Sequence, residues 1–229
     1  MASHNKASQG EVIYGHIFDA ILEQRLSPGT KLSEESLGSI FGVSRTVIHR
    51  ALSRLAHEKV VVIRPNRGAI VASPTAAEAR EILFARRVIE KTVIELAVEQ
   101  PVKKQLDELR QLVKKEHSCF ARGDRAAGIR FSGEFHLLLA EMANNLPLLS
   151  FLRSLVSQSS LIIALYENNT QNHCSYDEHL ALIDAVAAKD KVRAVQLMER
   201  HLDHIEQKLT LNNDDSKDGL KAVFSKLHT

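Results

Sequence analysis

Apolar positions recur along this chain with two different periods. Val12, Ile13, Ile17, Ile21 and Leu22 share one face of a helix predicted from Glu11 to Arg25. Ser27-Pro28-Gly29-Thr30 ends it with a turn built on Pro and Gly. A second helix opens at Ser33, whose hydroxyl can cap the free N–H groups ahead of Leu37, Ile40 and Phe41, and Gly42 closes it. Ser44 stands in the capping position of a third helix, which runs to about Glu58 through Val47, Ile48, Ala51, Leu52 and Leu55. The period then shortens. Val60–Ile63 and Ala69–Val71 are β-branched and strand-like, separated by the basic tip Arg64-Pro65-Asn66-Arg67-Gly68. Three short helices followed by a two-stranded hairpin describe a winged helix-turn-helix over residues 1–74.

After Ser73-Pro74-Thr75 the helical period is almost unbroken. Helices are predicted near 75–99, 102–122, 124–143, 146–168, 175–189 and 191–210. The breaks fall at Pro101, Gly123-Asp124, Asn144-Asn145-Leu146-Pro147, residues 168–172 and Lys189-Asp190. Six helices joined by short turns suit an antiparallel all-α bundle over 75–211, so the fold class is mainly α. In 212–229 a polar linker leads to Leu220, Val223, Phe224 and Leu227, whose spacing marks a short helix with one apolar stripe.

Composition refines this picture at a few points. A chain of 229 residues has room for two cores. Its formal charge of +2 excludes global basicity, yet residues 1–75 carry nine Lys/Arg against six Asp/Glu. The positive excess therefore sits at the winged end. Cys119 and Cys174 form no spacing motif, which argues against a disulfide framework. No apolar run is expected to approach the length of a membrane span and residues 1–10 lack the apolar core of a signal peptide, so the expected location is cytoplasmic, away from the membrane.

In a helix-turn-helix the second helix of the motif enters the major groove with its N-terminal residues against base edges. Here those residues are Arg45, Thr46 and His49. Arg45 can offer parallel donors to guanine O6 and N7, while Thr46 can reach a phosphate or a thymine methyl. Arg50 and Arg54 are spaced to meet phosphates. Arg64, Asn66 and Arg67 can reach the minor groove from the wing, with Gly68 supplying its turn. Pro28-Gly29-Thr30-Lys31-Leu32-Ser33-Glu34, Gly42-Val43-Ser44-Arg45-Thr46, Ala51-Leu52-x-Arg54-Leu55 and Arg67-Gly68-Ala69-Ile70-Val71 resemble the GntR family of bacterial regulators. The resemblance implies DNA contacts at Arg45, Thr46 and residue 49, and a minor-groove approach at Gly68. The sequence departs from the family at Val47-Ile48-His49-Arg50, where Pro-Val-Arg-Glu is usual, and at Glu35, where many members carry Arg.

The bundle has chemistry of its own. His136, His179 and His201 lie on three different predicted helices, and imidazoles from separate helices can converge in a bundle core. Three neutral imidazoles suit a divalent ion such as Zn or Ni and leave positions open for an oxygen ligand. Arg86 can either pair with an anionic effector or bond Glu90 one turn on along a solvated surface. Tyr166 and Asn168 are candidates for a pocket lining.

Arg86-x-x-x-Glu90, Phe135-His136, Glu178-His179, Ile183-Asp184-Ala185-Val186 and Met198-x-x-His201 resemble the FCD ligand-binding domain of the FadR-type GntR subfamily, with six helices as in its VanR-like branch. That resemblance implies three histidines and an aspartate holding a divalent metal, with a small organic acid or related metabolite bound at or beside it. The histidines match; the aspartate position is held by Ser132. Without it, three neutral imidazoles would leave the ion its full +2 charge. The expected protein is a homodimeric regulator, a repressor, acting on an inverted-repeat operator. Two other functions could use the same histidines: a metal-responsive regulator, and a metal-dependent hydrolase, for which no HExxH-type motif is present.

Overall fold

Capping residues and glycines set the limits of most elements. The computed structural model describes residues 9–64, 68–167 and 175–211. The chain begins with α1 (Gln9–Leu22), then β1 (Lys31–Leu32), α2 (Glu34–Phe41), α3 (Arg45–His57), β2 (Val61–Arg64) and β3 (Gly68–Val71). Ser33 accepts from the Ser36 backbone N–H at 3.3 Å, and Gly42 closes α2 with a left-handed φ of 64°. Ser44 is extended at the start of α3, but its hydroxyl takes no backbone N–H there, contrary to expectation.

The sheet has one strand more than the pattern predicts. β3 is central, pairing antiparallel with β2 on one side and with β1 on the other. Two residues inside the turn-like stretch after Pro28 carry no period of their own, so only their pairing with Ala69 and Ile70 makes β1 a strand. Gly68 opens β3 at φ 75°, and a Cβ there would stand 2.4 Å from the Leu32 carbonyl oxygen. The close approach of β1 thus requires glycine as much as the wing turn does.

Six helices follow: α4 (Ala76–Ala97), α5 (Lys103–Ala121), α6 (Arg125–Met142), α7 (Leu146–Tyr166), α8 (Ser175–Ala187) and α9 (Lys191–Gln207). Thr75 and Glu78 form a reciprocal capping box at the start of α4; Asp124, Asn145 and Asp190 cap α6, α7 and α9. α4 packs on α6, α7 and α9, while α5 packs on α6 and α8. Their apolar faces meet in a core that includes Val93, Ile94, Leu109, Phe135, Leu139, Leu152, Ile183 and Met198. By length and composition α7 could cross a membrane, a span that the sequence reading did not single out; about half of it is buried inside the protein, as in the core helix of a bundle. The predicted tail helix with Leu220, Val223, Phe224 and Leu227 lies outside the described residues.

The winged part does not hang from a free linker. Ile13, Ile17, Leu22, Ile48, Leu52 and Val60 share one apolar cluster with Ala126 and Ile129 of α6 and Leu161 and Ala164 of α7. A polar contact reinforces the join. Glu58, 2% exposed at the end of α3, accepts from the Tyr14 hydroxyl at 2.6 Å and from Ser157 of α7 at 2.7 Å. A shared core makes the two parts unfold together. Leu161→Ala should therefore cost about 2–5 kcal/mol and lower the melting of both parts in one transition. Calorimetry checks this, and a variant in which only residues 9–71 melt early would contradict it.

Candidate functional site

Burial dictates the arrangement at the heart of the bundle. His136 of α6, His179 of α8 and His201 of α9 are all 0–1% exposed. Each presents Nδ1 to a glutamate: His136 to Glu90 at 2.6 Å, His179 to Glu116 at 2.8 Å and His201 to Glu178 at 2.7 Å. A carboxylate only accepts, so each Nδ1–H donates, and in a neutral ring Nε2 then keeps its lone pair. The three Nε2 atoms face a common point. His201 Nε2 lies 3.3 Å from Nε2 of both His136 and His179, and all three ligand atoms fall within 4.8 Å of one another. Phe135 stacks on the His179 ring at 3.9 Å between centroids and fixes its plane.

The protonation states agree with this geometry. Burial pushes the His136 imidazole down to about 3 and that of His201 down to about 4, so both are neutral near pH 7. Burial alone would raise the Glu90 carboxyl, but His136 and Arg86 outweigh it and hold the group at about 2. Glu178 is held at about 2 by its bonds to His201 and His204 against the same opposing effect of burial.

These residues could hold a divalent metal. Nitrogen ligands at about 2.0–2.1 Å from a tetrahedral ion stand roughly 3.3 Å apart, which is the spacing of the two resolved Nε2 pairs. Lone pairs aimed at one another repel unless a positive centre lies between them. The three carboxylates on the far side of the rings also change the charge balance expected from the sequence: negative charge missing at Ser132 is present one hydrogen bond further out.

Beside His201 lies a small, partly open cavity of about 60 Å³. Arg86, Ser132, Ser160 and His201 give it polar walls; Phe120, Ile129 and Ile163 give it apolar ones. Arg86 is not on a solvated surface. It is 3% exposed, its Nε donating to Glu90 at 2.6 Å and its Nη1 to Ser159 of α7 at 2.7 Å. The expected pairing with Glu90 thus exists, but it is buried and it leaves guanidinium N–H groups for the cavity. Gly133 lets α6 approach α7 here, since a Cβ would meet Val156 at 2.9 Å. Tyr166 is absent from the cavity wall; its hydroxyl donates to the Pro74 carbonyl at 2.7 Å, tying α7 to the segment before α4. Asn168 lies outside the described residues.

At the other end of the molecule, Arg45, Thr46, His49 and Arg50 are all exposed on the first turns of α3. Arg64 is exposed at the end of β2, whereas Asn66 and Arg67 lie outside the described residues. Arg54, with 39% of its side chain exposed, also has partners within the protein. It sits 3.9 Å over the Tyr14 ring and donates to Glu58 and Glu11. Sequence reasoning missed Glu116 and Ser159 altogether and named Glu90 and Glu178 without their imidazole partners. Glu178 adjoins His179 in the chain yet bonds His201, a choice between helices that spacing does not reveal.

Comparison with known proteins agrees with both ends. Residues 9–71 match the bacterial regulatory proteins of the gntR family, and residues 81–204 match the FCD domain. The regulator LutR of Bacillus subtilis is 29% identical over 208 residues, covering 81% of this chain and 94% of its own. The uxu operon regulator of Haemophilus influenzae is 28% identical over 203 residues, covering 80% and 75%. Among solved structures, E. coli McbR/YncC superposes with a TM-score of 0.73 at 23% identity, covering 88% of this chain and 99% of that one, a likeness of fold. With its FCD match spanning more than half of its length and a gntR head before it, the chain belongs to the GntR family of transcriptional regulators that carry an FCD effector-binding domain.

Proposed function

We propose that this protein is a cytoplasmic, homodimeric repressor of the FadR-type subfamily, in its VanR-like branch. In this reading residues 1–74 bind an inverted-repeat operator, and residues 75–211 bind a small organic acid beside a divalent metal. The observation that carries the effector half is the convergence of His136, His179 and His201 next to a cavity whose wall includes His201, Arg86 and Ser132. His136, His179 and His201 would hold the ion, which when bound offers an open coordination position to an anionic oxygen. Glu90, Glu116 and Glu178 keep the three rings in the required tautomer. Arg86 supplies a cationic N–H for a carboxylate, and Phe120, Ile129 and Ile163 suit a short hydrocarbon body. A metal-responsive regulator would use the same histidines, so metal and acids must be titrated separately into a DNA-binding assay. Response to metal alone favours that second reading.

The metal site has its own test. His179→Ala should abolish stoichiometric Zn or Ni binding, measured by metal analysis and calorimetry, while the effector-free protein still binds DNA. Glu116→Gln, which leaves all three ligands in place, should weaken the metal by about 10- to 100-fold. Ser132→Asp should tighten it and weaken a bound carboxylate through repulsion. Wild-type protein that takes up no divalent metal would refute the site.

The DNA half separates base reading from phosphate contact. Arg45→Ala should relax preference at one base position per half-site, costing about 1–3 kcal/mol there. Arg50→Ala should weaken binding to all sequences and flatten its salt dependence. Identical profiles for the two variants would undo the assignment. Sedimentation at micromolar concentration should give a dimer, since two heads on a palindrome double the phosphate contacts that one small head can make; a monomer both free and on DNA would contradict it.

A further inference from the structure

Within the exposed DNA-reading face, one acidic side chain from another helix reaches two of the residues assigned to base contact. Glu34 is the first residue of α2, and its side chain is 23% exposed where the Arg45 and His49 side chains are 73% and 58% exposed. Its two oxygens serve different partners. His49 Nδ1–H donates to Oε1 at 2.8 Å, and the Arg45 guanidinium lies 3.9 Å from Oε2. Arg45 and His49 are one helical turn apart on α3, so a single carboxylate set in the notch between α2 and α3 reaches both.

We propose that Glu34 is a positioning residue for sequence recognition, holding the His49 ring and the Arg45 side chain in the orientation in which they meet base edges. The proposal rests on the reading of Arg45 and His49 as base contacts. An acceptor on Nδ1 leaves Nε2 as the outward atom of His49, so the ring presents one defined group to the groove. The hydrogen bond also removes a rotation that an unrestrained imidazole would lose on binding. Arg45 is treated differently. At 3.9 Å it is attracted without being committed, and its paired donors remain free for guanine. Glu35 is the natural control: it carries the same charge in the same first turn of α2, is exposed, and makes no ion pair among the described residues.

The test selects preferred sites from randomised DNA with the full-length protein and measures affinity on the selected and scrambled sequences. Variants are Glu34→Gln, Glu34→Ala, Glu35→Gln, His49→Ala and the Glu34→Ala/His49→Ala pair, each checked for unchanged melting. The expected result is a loss of base discrimination of about five- to tenfold in Glu34→Ala, at the positions that His49→Ala and Arg45→Ala affect, with the loss in the pair smaller than the product of the two single losses. Glu34→Gln, which keeps an acceptor, should retain more discrimination than Glu34→Ala. Glu35→Gln should shift affinity equally on all sequences. If Glu34→Gln and Glu34→Ala do no more than Glu35→Gln, or the two changes in the pair simply add, Glu34 acts through net charge and the proposal is overturned. If His49→Ala and Arg45→Ala leave base preference intact, the base-contact reading fails first and takes the proposal with it.

Discussion

A carboxylate inside a helical bundle must be hydrogen-bonded by something, and here three of them are. Glu90 and Glu116 are 0–1% exposed, and Glu178 is partly covered. Leaving any one unpaired would cost several kcal/mol, and an imidazole N–H meets each, joined at Glu90 by Arg86 and at Glu178 by His204. That demand has a consequence for chemistry. Once Nδ1 is spent on the glutamate, the remaining nitrogen of every ring is a bare acceptor, and the three helices aim these acceptors inward. Stability and ligand geometry are therefore one arrangement.

The same arrangement explains how far the sequence could be read. Helix limits followed from local chemistry, namely a hydroxyl, carboxylate or amide cap at one end and a Gly, Asn or Pro break at the other. The three histidines were visible because each lies on a separate strongly periodic segment. Their partners were not. Glu116 sits beside His117 in a run of charged residues, and nothing local distinguishes it from a solvated acid. β1 escaped for a related reason: two residues have no period, and the strand exists only through its bonds to β3. The contacts of Arg54 were equally hidden: a tyrosine 40 residues away and a glutamate one turn on both meet its guanidinium.

α7 connects the two ends of the molecule through three closely spaced serines. Ser157 donates to Glu58, whose backbone closes the recognition helix α3. Ser159 accepts from Arg86, and Ser160 lines the cavity. One helix thus carries both a bond to the end of α3 and a bond to the buried arginine beside the imidazoles. Packed helices do not deform continuously; they shift as units between discrete arrangements. A displacement of α7 that altered its bond to Arg86 would also be felt at Glu58.

Apolar contacts alone would not give that coupling. Ile129 and Leu161 join the winged part to the bundle, but hydrophobic burial is non-directional. A buried acceptor is less forgiving. Glu58 has its hydroxyl donors at 2.6 and 2.7 Å from two different helices, and moving either away leaves a charged group short of partners in a dry setting. The orientation of α3 relative to the bundle is thereby fixed by polar geometry, and hydrophobic burial supplies the strength. In the proposed dimer, where two recognition helices must stand at a fixed separation, the polar part of this join would help set that separation.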